Sequence, residues 1–285
     1  GADLKDAQVE KLRACGIGEK LDATDAGAFA QMVQKYKVDA IFNLVALLSA
    51  TGERMPEVAW KLNMGALLNS LNIAKEFKCS VFAPSSIGAF GASTPHYKTP
   101  QDTVMRPNTI YGVCKVSGEL LSDYYFSRFG VDTRSVRFPG IISNGALPGG
   151  GTTDYAVEIY YAAVKGEEFV CPIAPGTFMD MMYMPDALNA AVRIMQADPR
   201  YLVHRNSFNI ASMSFEPETI YREIKKHYPD FKIRYEVDPI RQAIADSWPN
   251  KMDDTCARKE WGWIPRYNLE TMTQDMILHL KEKLL

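Results

Sequence analysis

The chain has 285 residues, 47% of them hydrophobic, which is enough to bury one large core or two unequal ones. Its 32 basic and 34 acidic residues are well mixed and give a formal net charge of −2, so no nucleic-acid partner is expected. No apolar run approaches the roughly 20 residues that a membrane-spanning helix needs, so no membrane partner is expected either.

The cysteines and histidines indicate whether the chain has disulfides or a metal site. The five cysteines are odd in number, far apart and without a C-x-x-C pair, which predicts free thiols in a reducing compartment rather than a disulfide framework. The four histidines are equally scattered, and none has metal-ligand spacing to a cysteine or a carboxylate. The sequence therefore predicts no metal site.

Helical and strand patterns alternate along the first half of the chain. Apolar runs of strand length cover 39–46, 81–84 and 135–138, and helical patterns cover 5–14, 26–36, 56–77 and 108–129. Apolar strands separated by helices predict a parallel sheet with helices on both faces. Residues 1–145 are therefore expected to form a doubly wound α/β domain.

The pattern changes after Gly140. A loop is predicted at 148–151, helices at 152–165, 216–228, 239–248 and 269–284, and short strands at 167–173, 178–184, 205–211 and 232–238. We expect residues 146–285 to form mostly a smaller α+β cap, with the segments near 178–212 returning to the first domain.

Tyr111 and Lys115 lie four residues apart in the predicted helix 108–129, so they project from one face, one turn apart. Tyrosines titrate near ~10 and are poor bases at neutral pH, but a neighbouring ammonium or an oxidised nicotinamide favours the phenolate. Such a phenolate can take the proton of an alcohol while hydride leaves its carbon. Taken alone, such a pair is usually a surface contact.

Ser86 follows a short apolar strand, at the carboxyl end where parallel sheets bind their ligands. Its hydroxyl can bond to a substrate oxygen beside Tyr111. Ser85 carries the same group, and in an extended backbone only one of the two serines faces the cofactor.

Several longer segments resemble the extended short-chain dehydrogenase/reductase superfamily, which includes nucleotide-sugar epimerases, and within it the family of short-chain L-threonine 3-dehydrogenases. The likeness is carried by 46–53, 84–91, 106–115, 137–143, 148–155, 238–249 and 257–263, so it covers nearly the whole chain. The Gly-Gly-Gly-Thr-Thr-Asp-Tyr segment and the Ala-Asp-Ser-Trp-Pro segment are more specific than the tyrosine–lysine pair.

The resemblance implies a Rossmann-like fold and NAD-dependent oxidation of the L-threonine hydroxyl to 2-amino-3-oxobutyrate. Tyr111 is then the base, and Lys115 favours its phenolate while holding the nicotinamide ribose. Ser86 stands where the family has threonine or serine. Asn63, in the helix 56–77, matches an asparagine that supports the active site.

The implied cofactor contacts are Tyr111 and Lys115 together with Asp3, Asp22, Ala23, Val45, Ala46, Leu47, Pro139 and Ile141. Asp3 fits the acidic residue that ends the second strand and binds the adenosine ribose. Its carboxylate would repel a 2′-phosphate, which favours NAD over the phosphorylated cofactor. The alternatives are a surface role for Asp3, and helix capping by Asp22 or, better placed, Asp25.

The family begins with a strand and a Gly-x-x-Gly-x-x-Gly turn, whose backbone amides hold the pyrophosphate at a helix start. This chain has no such segment, and Gly16-Ile17-Gly18 lies between a helix and a strand-like stretch. We therefore expect about 30 or more residues, including that strand and turn, to precede Gly1.

The implied substrate contacts are Ser49, Ser86, Tyr111, Thr152, Asp154 and Trp248. Hydroxyls of Ser49 and Thr152 can donate to a carboxylate, and Asp154 can attract an ammonium. Thr152 and Asp154 can equally cap a helix start. Trp248 can close the pocket or simply pack between helices.

Two other functions are consistent with the sequence. A nucleotide-sugar epimerase or dehydratase would need cations in the cap for a pyrophosphate, whereas the loop 149–154 carries an acidic residue. A non-catalytic NAD-sensing module would tolerate loss of the serine, tyrosine and lysine, which this chain retains.

The resemblance also implies a homodimer paired through the helices 56–77 and 108–129, which an exposed apolar stripe on both helices would support. The expected compartment is the cytoplasm in a bacterium or the mitochondrial matrix in a eukaryote.

Overall fold

The structure is a computed structural model that describes residues 1–145, 149 and 151–285. Of the loop predicted at 148–151, positions 148 and 150 lie outside the described residues. None of the described helices is both long and apolar enough to cross a lipid bilayer.

Helices and strands alternate along most of the chain. The α-helices are Asp6–Cys15 (α1), Ala26–Tyr36 (α2), Ser49–Arg54 (α3), Pro56–Phe77 (α4), Ile110–Phe129 (α5), Tyr155–Lys165 (α6), Met184–Gln196 (α7), Pro217–Lys225 (α8), Pro239–Asp246 (α9), Thr255–Trp261 (α10) and Leu269–Leu284 (α11). Short 3-10 turns cover Ile87–Ala89, Thr152–Asp154 and Pro199–Tyr201.

The strands are short. They are Ala2–Asp3 (β1), Glu19–Lys20 (β2), Ala40–Phe42 (β3), Ser80–Phe82 (β4), Ser85–Ser86 (β5), Tyr97–Thr99 (β6), Thr133–Arg134 (β7), Val136–Phe138 (β8), Gly140–Ile142 (β9), Phe169–Cys171 (β10), Met179–Tyr183 (β11), Phe208–Asn209 (β12), Met213–Phe215 (β13), Ile233–Tyr235 (β14) and Lys251–Met252 (β15).

Two all-parallel ladders form the central sheet. One has the order β3-β4-β7 and the other the order β12-β8-β5. Two residues separate β4 from β5, and Ser135 alone separates β7 from β8, so the ladders continue one another. The Ser135 hydroxyl donates to the Ala83 carbonyl at 2.7 Å and thereby bridges the break.

Successive side chains of β4 pack in different hydrophobic cores, because side chains alternate between the two faces of a strand. Val81 packs with residues of α2, α4 and α5, whereas Phe82 packs with residues of α7 and α10. Helices therefore cover both faces of the sheet, and the predicted doubly wound α/β fold is confirmed.

The second half buries a separate apolar core. Helices α6, α8 and α11 pack around strands β10, β11 and β13, and β11 runs antiparallel to β13. Strand β12 instead pairs with β8, which places part of the segment 178–212 in the central sheet. Strands β1 and β2 form a parallel two-stranded ladder of their own among the described residues.

The strand predicted over 39–46 is too long, since β3 ends at Phe42. Asn43 N still donates to the Phe82 carbonyl, but Leu47 bonds to the side chain of Asn63 on α4. That side chain satisfies both backbone groups of Leu47, so the segment leaves the sheet and becomes a loop.

Local caps explain two other boundaries. Helix α5 begins at Ile110 rather than at 108, because Thr109 accepts a hydrogen bond from Gly112 N at 3.1 Å. The helix predicted over 152–165 begins as the 3-10 turn Thr152–Asp154 and becomes α-helical at Tyr155.

Candidate active site

Tyr111 lies in the first turn of α5, a turn held by two acceptors. Besides the Thr109 cap, Glu53 of α3 accepts a hydrogen bond from Ile110 N at 2.7 Å. The first amides of a helix have no partner within the helix, so these bonds satisfy groups that would otherwise be free. Together they place Tyr111 without burying its partly exposed ring.

Two glycines bring Ser86 beside Tyr111. A Cβ at Gly88 would lie 3.3 Å from two ring carbons of Tyr111 and 3.5 Å from Ser86 Oγ. A Cβ at Gly112 would lie only 2.2 Å from the Gly88 carbonyl oxygen. Glycine at 112 is therefore required for α5 to approach the turn after β5. Sequence analysis missed both glycines, although each lies within two residues of a predicted catalytic residue.

Lys115 lies one turn beyond Tyr111, as its spacing predicts. Its Nζ donates to the Pro84 carbonyl at 2.6 Å and lies 5.3 Å from the centroid of the Tyr111 ring. The ammonium is thus held between the end of the sheet and the phenol.

The two neighbouring serines have different surroundings. Ser85 is 4% exposed, and its hydroxyl donates to Glu119, which also forms a buried ion pair with Arg137 at 2.8 Å. Ser86 is partly exposed, and its Oγ accepts from Gly88 N at 3.1 Å. Of the two, Ser86 is therefore the serine that lies near Tyr111.

Asn63 holds the loop that follows β3. Its Oδ1 accepts from Leu47 N at 2.7 Å and its Nδ2 donates to Leu47 O at 3.3 Å. Val45, Ala46, Asn63 and Lys115 line one cavity. The structure therefore brings these predicted residues together at the carboxyl edge of the sheet.

Cys114 lies between the catalytic candidates but is buried. Burial raises the pKa of its thiol, against a smaller opposite effect of a hydrogen bond with Asn63. A buried thiol with a raised pKa is a packing residue rather than a nucleophile.

The predicted adenosine contacts lie around β1, β2 and the start of α2. Asp3 Oδ1 accepts from Lys5 N at 2.8 Å, and Ala23 O accepts from Asn69 Nδ2 of α4 at 2.9 Å. Hydrogen bonds from the Thr24 hydroxyl and amide hold the pKa of Asp22 below its usual value. Asp25, not Asp22, caps α2, since it accepts from Ala28 N.

Pro139 is buried between β8 and β9, and Ile141 lies in β9 opposite Met182 of β11. A Cβ at Gly140 would lie 2.7 Å from the Thr153 side chain. The turn Thr152–Asp154 therefore packs directly on β9 beside these two residues.

The predicted substrate residues fall into two groups. Ser49 is buried at the first position of α3, the helix that caps α5 through Glu53. Thr152 and Trp248 are buried in the cap, and Asp154 Oδ2 accepts from Gly151 N at 2.5 Å. The capping interpretation thus fits Asp154, and the packing interpretation fits Trp248.

Comparison with known proteins agrees with this geometry. The sequence model of the "NAD dependent epimerase/dehydratase family" matches residues 3–211. An uncharacterized epimerase/dehydratase of Staphylococcus haemolyticus is 53% identical over 281 residues, which cover 99% of this chain and 88% of that protein.

Solved structures extend the likeness to nearly the whole chain. An L-threonine dehydrogenase from Clostridium difficile has 57% sequence identity and a TM-score of 0.92 over 95% of this chain and 85% of its own. A monomeric L-threonine 3-dehydrogenase from a metagenome has 39% identity and a TM-score of 0.93 over 99% and 90%. The predicted resemblance is confirmed, NAD is the cofactor in the family's description, and the chain belongs to the NAD-dependent epimerase/dehydratase family.

Proposed function

We propose that this protein is an L-threonine 3-dehydrogenase that oxidises the side-chain hydroxyl of L-threonine to give 2-amino-3-oxobutyrate. The observation that carries the proposal is the approach of Ser86 to Tyr111 across Gly88, with Lys115 one turn away. The similarity to solved L-threonine dehydrogenases supports the choice of substrate.

The residues around Tyr111 suit the nicotinamide riboside of NAD. Lys115 and Tyr111 offer an ammonium and a phenolic oxygen to the ribose hydroxyls, next to the apolar lining of Val45 and Ala46. We propose that the Leu47 backbone, held by Asn63, completes this side. Pro139 and Ile141 would flank the nicotinamide, with Asp3, Asp22 and Ala23 at the adenosine. Bound NAD supplies the hydride acceptor.

Proton transfer falls to Tyr111. Its phenolate, stabilised by the Lys115 ammonium, takes the proton of the threonine hydroxyl as the carbinol carbon is oxidised. Ser86 Oγ accepts from Gly88 N, and its own hydrogen would donate to the same substrate oxygen. Tyr111 and Ser86 thereby hold that oxygen between them.

The rest of the substrate would lie toward the cap. Ser49 and Thr152 provide hydroxyl donors for the carboxylate, and Asp154 provides a negative charge for the ammonium. Trp248 would pack behind this group. Since Ser49 and Thr152 are buried, they would contact the amino acid only from within a closed cleft.

The test is NADH formation from L-threonine by the full-length protein. Tyr111→Phe should lower kcat by about 10²–10⁴-fold while NAD binding persists, because it removes the proton acceptor. Tyr201→Phe changes an exposed tyrosine outside the site and should leave the rate unchanged. A fully active Tyr111→Phe protein would exclude Tyr111 as the base.

Other substrates test the wider alternatives. Epimerisation of a nucleotide sugar, with no reduction of NAD by threonine, would replace the proposal with the epimerase function. Tight NAD binding without turnover of either substrate would identify a sensing module.

We also propose a homodimer formed through α4 and α5. These helices pack on each other and expose Trp60, Leu68, Leu120 and Tyr124. Leu120→Asp should convert a sedimenting dimer into a monomer, whereas Leu278→Asp, at an exposed leucine of α11, should not. A monomeric unmodified protein would contradict this proposal.

For the compartment, we propose the bacterial cytoplasm, since the similar Staphylococcus protein is bacterial and all five cysteines are free. Fractionation of the native host tests this assignment. Detection of the protein in the periplasmic or secreted fraction would contradict it.

A further inference from the structure

A group of metal-ligating side chains lies where α10 meets the loop before β12. Cys256 and Glu260 are one turn apart on α10, and His204 comes from that loop. One ligand atom of each residue, a sulfur, a carboxylate oxygen and a ring nitrogen, lies within 4.8 Å of the other two. The group shares no residue with the candidate active site.

Backbone amides orient the carboxylate of this group. Glu260 Oε2 accepts from Val203 N at 2.6 Å and from His204 N at 3.0 Å. The other oxygen, Oε1, is thereby directed at His204 Nδ1, with which it forms a short contact. The carboxylate is largely buried, so its direction is maintained by the fold rather than by solvent.

The imidazole is oriented from two further sides. The Phe208 ring lies edge-on to it, with the centroids 6.0 Å apart. Asp102 Oδ2 lies 3.4 Å from His204 Nε2, on the side of the ring away from Nδ1. A carboxylate behind a histidine holds the proton on that nitrogen and leaves the opposite nitrogen to bind a metal.

We propose that His204 Nδ1, Cys256 Sγ and Glu260 Oε1 bind a divalent transition metal of the zinc class, with water as a fourth ligand. A thiolate, an imidazole and a carboxylate suit such an ion and not Ca²⁺ or Mg²⁺, which prefer oxygen ligands alone. Three protein ligands and one water complete a tetrahedron.

Proton release accompanies this binding. The metal displaces the Cys256 thiol proton to solvent, and the neutral His204 imidazole binds the metal through Nδ1 with its one proton on Nε2, toward Asp102. The bound ion would join α10 to the loop that leads into β12, a strand of the central sheet. Because the ion would join two segments of the fold, we expect it to clamp them together, with its fourth position occupied by water.

Cobalt(II) tests the site because it reports sulfur ligation. Titration of metal-free, full-length protein should give a near-ultraviolet thiolate-to-cobalt charge-transfer band that saturates at one ion per chain and is removed by Zn²⁺. Cys256→Ser should abolish the band. Cys15→Ser, at the exposed cysteine of α1, should retain it. No band in the unmodified protein, or an undiminished band in Cys256→Ser, would overturn the proposal.

A second measurement covers variants that fold poorly. Zn²⁺ should raise the Tm of the unmodified protein and of His279→Ala, a histidine paired with Asp275 at 3.5 Å, but not that of Glu260→Gln. Asp102→Asn should weaken Zn²⁺ binding by about 10–100-fold without removing the cobalt–sulfur band. Equal Zn²⁺ stabilisation of Glu260→Gln would show that the metal binds elsewhere.

Discussion

The first turn of α5 and the interior of the cap maintain their structures by different means. Around Tyr111, the backbone itself is held in place, by the close approach of Gly88 to Gly112 and by the hydrogen bond from Gly112 N to the Thr109 hydroxyl. The cap instead buries whole aromatic side chains, such as Tyr160 and Trp248. Close backbone contacts set positions, whereas buried apolar volume supplies stability, so substitutions in the two regions should have different consequences.

Trp248→Ala tests the cap side of this comparison and should have the largest effect on stability. Trp248 is 7% exposed within the cap core, so its truncation should lower the free energy of unfolding by about 3–5 kcal/mol. Urea unfolding measures this loss, and the exposed Tyr201→Ala is the control. A raised KM for threonine with unchanged stability would instead place Trp248 in the substrate pocket.

Gly112→Ala tests the first turn of α5. The added methyl would lie 2.2 Å from the Gly88 carbonyl oxygen, so α5 must shift. We expect a loss of about 1–3 kcal/mol in stability and a disproportionate loss of activity, about 10²-fold, because Tyr111 is displaced. Steady-state kinetics and urea unfolding measure the two effects.

Gly65→Ala is the matched control, since nothing lies within 4 Å of its Cβ position in the middle of α4. It should stabilise the protein by about 0.5–1 kcal/mol, as alanine is the better helix former. Equal activity losses at Gly65 and Gly112 would refute the positional argument.

Asp180 of β11 offers a pH-dependent test of burial. Burial raises the pKa of its carboxyl from 3.8 to about 8, although Met252 N donates to it at 2.5 Å. Between these values the folded protein retains a proton that the unfolded chain has lost. The contribution of this group to the free energy of unfolding is therefore greatest below pH 3.8 and decreases as the pH rises to about 8.

Asp180→Asn removes this titration. The variant should gain stability relative to the unmodified protein as pH rises through that range, reaching on the order of 1 kcal/mol or more above pH 8. Chemical unfolding across this pH range measures the difference. Parallel stability profiles for the two proteins would show that Asp180 does not titrate there.

The smallest effect concerns two aspartates near the start of α2. Asp25→Ala removes the cap on Ala28 N and should cost about 0.5–2 kcal/mol of stability with an unchanged KM for NAD. Asp22→Ala should instead raise the KM for NAD and leave the stability unchanged if Asp22 contacts the adenine. Thermal unfolding and NAD kinetics separate the two roles, and a shared phenotype would argue against the division.

Local patterns predicted the long helices well. Helices α2, α4 and α11 begin and end at the predicted residues, because their apolar periodicity and terminal residues lie within the segment itself. Helix α7, Met184–Gln196, was not predicted. It follows β11 with no intervening loop residues, so the local pattern shows no boundary there.

The helix period alone predicted that Tyr111 and Lys115 share one face of a helix. The order of residues in several segments was enough to show the family resemblance. Tertiary structure decided that the Ser85 hydroxyl bonds to Glu119, while Ser86 and Tyr111 lie on either side of Gly88. It also brought Asn63 to Leu47, ending the strand that the apolar run predicted. These outcomes depend on contacts between residues distant in the chain, which local periodicity does not encode.

The same reason explains why the sequence did not suggest the metal site that we propose. His204 and Glu260 are 56 residues apart, and the loop before β12 meets α10 only because β12 pairs with β8 in the central sheet. The sequence carries the chemistry of each side chain, and the fold decides which side chains act together.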